Sequence, residues 1–518
     1  MSFTSIEFLI FFPAVAVFFF LIPHRARWIW LTAASCFFFG YLYCSTFESA
    51  KTTYYILVLF AIASFILVNY ILGIRIEDSR ASRPRAARAL LATGIVYPLL
   101  LLFIFKYFNF IDATIADIAR ILRLNYPAHV LKLIVPLGIS YYTLQGLSYL
   151  IEVHRGTMKA ERHFGMLALY FLFFPKMVAG PFERPNRLIP QFYVRQGFDY
   201  QRVVDGLKCM AWGYFKKLVI ADRVAITVNE IYNNPHDYWG VYFIVANLFF
   251  AFQVYCDFSG YSDIAIGSAK VLGFNLMENF KRPFLATTTA DLWRRWHISL
   301  VAWLRDYIYI PLGGNRVSRP RWWYNTAITF LLSGLWHGAN WTYIAWSGLN
   351  ALFVLFSDWT KVIRAHARRL TRIERFPRIH TIIGRSFTFI LFTLSVNFFR
   401  ANSLADGIHI ARHYGTGLGD LLRAALRFDM EALRSLLVVP TKNTVFGFSK
   451  PAFVSEMIIA GIAIIALMAV EMADEKEDIT KRMSRWHWSL RWAIYILLVY
   501  TILFCGTFAN QQFIYFRF

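Results

Sequence analysis

The chain predicts an all-α polytopic integral membrane protein, and three observations carry that prediction. It is 58% hydrophobic and 18% aromatic, with a mean hydropathy of +0.46. Only 16% of its residues are charged, against roughly 25% in a soluble domain. Apolar runs near the ~20 residues that cross a bilayer recur from end to end. The spans must be helical, because backbone groups facing lipid need partners within their own segment. An outer-membrane barrel would show alternating segments of about ten residues, and this chain has none.

The first run, Ser5–Ile22, has no basic leader and no Ala-x-Ala site after it, which reads as a retained span and not a signal peptide. Trp28–Tyr43 and Tyr54–Ile74 follow, then the arginine-rich Arg75–Arg88. Ala89–Phe110 returns, interrupted by Pro98. Asp112–His129 reads as an amphipathic surface helix with Ile115, Ile118, Ile121 and Leu122 on one face. Leu131–Val153 leads to another basic loop at His154–Arg162. If basic loops are cytoplasmic, the N-terminus lies outside and the loops alternate correctly.

Between Tyr170 and Phe192, Pro175, Pro181, Pro185 and Pro190 forbid one unbroken helix. Irregular backbone at membrane depth is tolerated where protein buries it or where it lines a cavity, which argues for a re-entrant segment. Gly206–Val228 carries Lys216, Lys217, Asp222 and Arg223 and is too charged for a simple span. Tyr238–Tyr255, Tyr324–Leu335, Trp341–Phe356, Ile382–Phe398, Met457–Val470 and Trp488–Phe508 read as spans. Lys361–Arg378 holds seven basic residues, and Arg400–Pro451 is the longest polar loop, with helix expected around Leu421–Leu437. The count comes to about eleven to thirteen spans. The organisation reads as N-terminal helices over 1–130, a core with broken segments over 131–360 and C-terminal helices over 361–518.

The net charge of +23 and pI near 9.8 would suggest nucleic acid in a soluble protein. Here the basic residues gather in short loops, which points to positive-inside orientation and anionic headgroups, with no nucleic acid partner. The five cysteines show no CxxC spacing, and we read them as buried small hydrophobes.

Chemistry concentrates between Asp291 and Asn350. His297 and His337 stand there 40 residues apart, each beside Trp in an apolar neighbourhood. An ionisable residue at membrane depth is a functional candidate by default. Taken as one helix, Asp291–Ile310 lines Trp293, Trp296, Leu300, Trp303 or Leu304, and Tyr307 on one face, with Arg294, His297, Val301 and Arg305 on another. That helix is either an interfacial anchor, with His297 a satisfied surface residue, or an inward element of a site. His337 is either a neutral general base or a buried ring joining two helices by hydrogen bonds. Asp257 and Asp263 flank a pocket or serve as caps and arginine partners. No Gly-x-Ser-x-Gly elbow, phosphate-binding loop or His-Glu-x-x-His pair is present, and no metal site is expected.

One family matches the motif order. It runs Pro136-Leu-Gly-Ile-Ser-Tyr-Tyr-Thr143, Ala179-Gly-Pro181, Tyr255-Cys-Asp-Phe-Ser-Gly-Tyr-Ser-Asp263, Arg294-Arg-Trp-His-Ile-Ser299, Leu304-Arg-Asp-Tyr-Ile-Tyr309, Leu312-Gly-Gly-Asn315 and Gly334-Leu-Trp-His-Gly-Ala-Asn340. This order resembles the membrane-bound O-acyltransferases, closest to the bacterial alginate O-acetylation branch. The peptidoglycan O-acetylation and teichoic acid D-alanylation proteins stand nearby. The resemblance runs from Met1 to the final Phe-Ile-Tyr-Phe-Arg-Phe518 and is strongest over Pro136–Gly348.

The resemblance implies a fold with re-entrant or interfacial helices around a central funnel. It also implies a catalytic base at His337 and a second site histidine at His297. The motif positions offered for substrate are Asn340, Asp306, Arg305, Tyr261, Ser259 and Trp336. The donor implied is acetyl-CoA or another acetyl thioester, with no tightly bound cofactor. The acceptor is an exported polysaccharide, reached directly or through an exported acetyltransferase-type partner, at the bacterial inner membrane. The long Arg400–Pro451 loop and the C-terminal extension resemble the alginate-type members more than the shorter teichoic acid type, which favours acetyl over D-alanyl transfer. A transporter or channel is the rival class, though no inverted repeat is found; an export scaffold with inert histidines is a third.

Overall fold

The computed structural model describes residues 1–46, 52–131, 133, 136, 138–177, 180–432, 444–445 and 448–508. Ala179, the middle of the Arg400–Pro451 loop with part of the helix expected at Leu421–Leu437, and the final Phe-Ile-Tyr-Phe-Arg-Phe518 lie outside them. The described chain is helical apart from one two-stranded antiparallel hairpin. There β1 (Thr444–Val445) pairs with β2 (Phe448–Ser449), Thr444 opposite Ser449. Two compact units form, Met1–Met210 with Ser262–Glu278, and Ala211–Tyr261 with Asn279–Phe518.

The first unit begins with α1 (Ile6–Leu21), whose first turn is capped by Ser5 accepting from Phe8 N. Then come α2 (His24–Thr46), α3 (Thr52–Arg80) and α4 (Pro84–Leu102). Pro84 stands where a helix lacks an acceptor for its N–H. A single π turn at Phe103–Tyr107 passes α4 into α5 (Phe108–Ile121). The surface helix expected at Asp112–His129 is therefore the end of one long element. Asp112 is buried there, accepting from Tyr126 Oη at 2.7 Å and His129 N at 2.8 Å.

The helix expected from Leu131 starts only at Ile139, after the left-handed Gly138, as α6 (Ile139–Arg155). It packs on α3 and α4. Phe65 of α3 meets Tyr142 at 4.9 Å, and a Cβ on Gly73 would stand 2.6 Å from Tyr149 Oη. The proline-rich stretch breaks as expected, into α7 (Phe164–Leu172), α8 (Phe174–Met177) and α9 (Pro185–Tyr193). Lys176 is fully buried there with its Nζ 4.2 Å from the Tyr170 ring.

The helix α10 (Tyr200–Tyr214) runs through a second π stretch, Phe215–Ala221, into α11 (Asp222–Asn233). The charges that argued against a simple span at Gly206–Val228 form a buried ion triad. Lys217 Nζ lies 2.7 Å from Asp222 Oδ1 and 2.6 Å from Asp257 Oδ1 of α12 (Val241–Val271). Two carboxylates around one ammonium offset the desolvation that either sign alone would suffer.

The remaining helices of the second unit are α13 (Thr289–Arg295), α14 (Ile298–Leu304), α15 (Arg319–His337), α16 (Trp341–Trp359), α17 (Lys361–Thr371), α18 (Pro377–Arg400), α19 (Leu404–Arg412), α20 (Leu418–Leu426), α21 (Lys450–Lys476), α22 (Ile479–Ser484) and α23 (Trp488–Cys505). The closest pairs are α15 with α16 and α16 with α18. Arg319 Nε donates to Asp358 Oδ2 at 3.0 Å and ties the far ends of α15 and α16. His236, His409 and His413 cluster, tilted to one another, with ring centroids 4.4 and 4.3 Å apart.

Six helices among the described residues are long and apolar enough to cross a bilayer: Ile56–Arg80, Pro84–Ile121, Val241–Val271, Pro377–Arg400, Ser455–Lys476 and Trp488–Cys505. The higher count expected from hydropathy includes α1, which has 16 residues, the pieces α7 to α9, and the more polar α6 and α15. The cysteine expectation needs correction. All five thiols are free, but of them Cys256 alone is buried, and Cys36 and Cys44 are exposed. An apolar run also has a lipid-facing side, so membership in one does not place a residue inside.

Candidate functional site

Asp291–Ile310 is not one helix. Thr288 caps α13, accepting from Asp291 N at 3.1 Å. The chain then breaks at His297, whose φ of 44° and ψ of 51° are left-handed. A side chain with a Cβ adopts that conformation at a cost, and only where its surroundings impose it. Here Asn279–Lys281 runs alongside and imposes it. Ile298 N donates to Asn279 O and Lys281 N to Arg295 O, both at 2.9 Å. Ser299 Oγ bonds Asn279 Oδ1 at 2.9 Å.

The bracing segment and the bend are held in turn by carboxylates of α21. Arg282 meets Asp474 at 2.7 Å, Arg295 meets Glu475 at 3.5 Å, and Arg385 of α18 meets Glu475 at 2.5 Å. Beyond α14 a π turn, Arg305–Tyr309, shifts the register again. The two faces expected of a single helix thus reach the same wall: Trp293, Trp296 and Leu300 with His297, Val301 and Arg305.

His337 ends α15. Gly338 leaves helical backbone at φ −172°, and Asn340 starts α16 by accepting from Thr342 N at 3.0 Å. The turn is tight because Gly338 lies against the Tyr343 ring and Gly334 against Ser347 and the Tyr343 carbonyl. Around His337 stand Trp346 of α16 at 5.1 Å, Phe399 of α18 at 5.5 Å and Trp336 at 4.9 Å between ring centroids. The His297 ring sits 6.3 Å away, edge-on to Phe258 at 4.5 Å. Both histidines are at least nine-tenths buried, 2% and 5% exposed.

Both also line one cavity of about 270 Å³. Its second wall is a stripe of α15: Trp322, Thr326, Thr329, Phe330, Ser333 and His337, the 3.6-residue repeat of one helix face. Trp322 Nε1 donates to Tyr309 Oη at 2.8 Å where α15 begins, and Arg305, largely exposed, stands on the first wall near this end. The stripe from Trp322 to His337 rises about 22 Å at 1.5 Å per residue. The walls are apolar, and the polar groups on them are imidazoles, hydroxyls, the indoles of Trp293, Trp296 and Trp322, and one guanidinium. Such a space holds a slender, mostly uncharged group and brings it to two imidazoles.

Of the residues singled out from sequence, His297, His337 and Arg305 share this cavity. Trp336 contacts both histidine rings without being on its wall. Asn340 caps α16, and Asp306 is held by Arg305 Nε at 2.8 Å. Ser259 and Tyr261 are buried in α12, the Tyr261 ring 5.4 Å from Lys217 Nζ. Sequence reasoning missed Thr326, Ser333 and Trp322. Their period along α15 is readable, but nothing local tells a cavity-lining hydroxyl from one facing its own helix.

The family model for MBOAT, the membrane-bound O-acyltransferase family, matches residues 163–400, a range that holds both histidines. A protein of Azotobacter vinelandii named "Probable alginate O-acetylase AlgI" is 35% identical over 405 residues, 78% of this chain and 76% of its own. The chain belongs to the membrane-bound O-acyltransferase family.

The like-named protein of Pseudomonas aeruginosa is 36% identical over 346 residues, 66% of this chain; the match spans 63% of that protein's length. A peptidoglycan O-acetyltransferase of Helicobacter pylori is 32% identical over 413 residues, 74% of this chain and 73% of its own. As a member of this family the chain is classed among acyltransferases, and its apolar helices make it a multi-pass membrane protein.

Proposed function

We propose that this acyltransferase takes an acetyl group from a cytoplasmic thioester and delivers it across the inner membrane for O-acetylation of an exported, alginate-like polysaccharide. The observation that carries this reading is the meeting of His297 and His337 on one apolar cavity. His337 acts as general base. As the acceptor oxygen attacks the thioester carbonyl carbon, the hydroxyl proton passes to the imidazole. The tetrahedral oxyanion then collapses, the C–S bond breaks, and the departing thiolate takes the proton back. A neutral imidazole is what the base needs, and apolar surroundings favour it. His297 positions donor or acceptor. Ser299 and Ser333 are the nearest hydroxyls in sequence, neither directly beside a histidine, and transfer is taken as direct, without an acyl-enzyme.

The donor is acetyl-CoA or another acetyl thioester, and no tightly bound cofactor is required. The acceptor is reached directly or through an exported acetyltransferase-type partner, with the N-terminus on the periplasmic side. Peptidoglycan is the alternative acceptor, supported by the similarity to the Helicobacter pylori protein. The test is mass spectrometry of envelope glycans from cells carrying His337→Ala at normal membrane abundance. Loss of O-acetyl groups is expected, and retained acetylation removes the assignment. Which glycan loses acetyl names the acceptor.

A further inference from the structure

Outside the cavity, α17 (Lys361–Thr371) is the most sharply divided surface among the described residues. At about 100° per residue, Val362, Ile363 and Leu370, with one polar residue, His366, among them, fall on one half of the helix. Lys361, Arg364, Arg368 and Arg369 fall on the other. The apolar half is bare: Val362 is 78% exposed, Ile363 68% and Leu370 71%. The basic half has no ion-pair partner among the described residues, and Lys361–Arg378 holds one acid, Glu374, against seven basic residues.

Two observations name what covers this helix. The chain continues into α18, a helix long and apolar enough to span a bilayer, whose start exposes Phe376, Ile379, Ile382 and Ile383. Through the turn Ile373–Arg375, α17 therefore leads directly into a lipid-facing surface. The opposite half carries the charge that a negative headgroup layer attracts. A loop in water has no reason to sort its residues this way.

We propose that α17 lies in the plane of an anionic bilayer surface, apolar half among acyl chains and arginines on headgroup phosphates. There it acts as a strap between α16 and α18. Arg364 reaches back to Ser357 of α16, donating to its Oγ at 3.0 Å. The two strapped helices carry Trp346 and Phe399, which flank the His337 ring. The placement of α17 does not rest on the acyl-transfer reading, because its test uses no activity.

The full chain, with its five cysteines replaced by serine, is spin-labelled singly at Ile363→Cys, Leu370→Cys, Lys361→Cys or Arg368→Cys. It is reconstituted in phosphatidylcholine vesicles with or without phosphatidylglycerol. Expected with phosphatidylglycerol are oxygen collisions exceeding nickel-chelate collisions at 363 and 370, and the reverse at 361 and 368. Adding Arg364→Glu and Arg369→Glu should raise nickel access at 363 and 370 to that of the basic face. The proposal is overturned if nickel reaches all four positions alike, if neither reagent reaches 363 and 370, or if charge reversal changes nothing. Should the serine background fail to fold, the unmodified chain serves. Tryptic cleavage after Arg368 or Arg369 should slow when phosphatidylglycerol is added, and an unchanged rate overturns the proposal.

Discussion

Gly334→Ala tests how closely the turn at His337 is built. A Cβ there would stand 2.6 Å from the Tyr343 carbonyl oxygen, against 3.4 Å for an ordinary contact, a shortfall of about 0.8 Å. It would also press on Ser347 Oγ, which can swing away, whereas the backbone oxygen cannot. So α15 and α16 must separate by several tenths of an ångström one turn before His337. Overpacking of this kind costs roughly 1–3 kcal/mol. A misplacement near 1 Å at a reacting group is worth about 10²-fold in rate. The assays are the thermal midpoint of the purified chain and acetyl transfer in proteoliposomes. Adding Ser347→Gly removes the hydroxyl clash and leaves the carbonyl one, so the double variant should remain impaired. A single variant with the native midpoint and rate would refute the packing argument.

Lys217→Met leaves Asp222 and Asp257 buried without their ammonium and should destabilise by about 3–5 kcal/mol. Adding Asp222→Asn and Asp257→Asn should recover much of it, read as yield and midpoint. Asn340→Ala removes the α16 cap and should cost about 1 kcal/mol, whereas Asn340→Asp should keep the midpoint; equal losses would place the residue in another role. His409 is held below the ordinary imidazole value of 6.5, first by partial burial, then by His413 and His236, with Asp406 opposing. Its folded form binds fewer protons than the unfolded chain, so its stabilisation is whole above pH 6.5 and lost as pH falls. Hydrogen exchange over Leu404–Arg412, corrected for intrinsic rates, should rise from about pH 7.5 to about pH 5.5, and His409→Asn should abolish that rise.

Composition and hydropathy disclosed the helical membrane class, and four prolines disclosed the breaks between Tyr170 and Phe192. The two histidines were legible only as candidates: each also reads as a bland residue, a surface group or a ring joining helices, and the motif order is what drew them together. What stayed hidden arose from contacts distant in sequence. No local pattern marks His297 as left-handed, since the cause is Asn279–Lys281 running beside it. The break in turn explains why two expected helix faces share one wall. The extension of α5 from α4 was equally hidden, because a π turn preserves the helix while rotating its face.

The carboxylates of α21 have a practical consequence. The family's common segment ends at residue 400, yet the anchors for the bent chain at His297 come from Asp474 and Glu475. A minimal fragment cut at the family boundary would retain both imidazoles and lose the guy-lines on the bend that carries one of them. Pruning this protein toward its shared part therefore dismantles it from the far end.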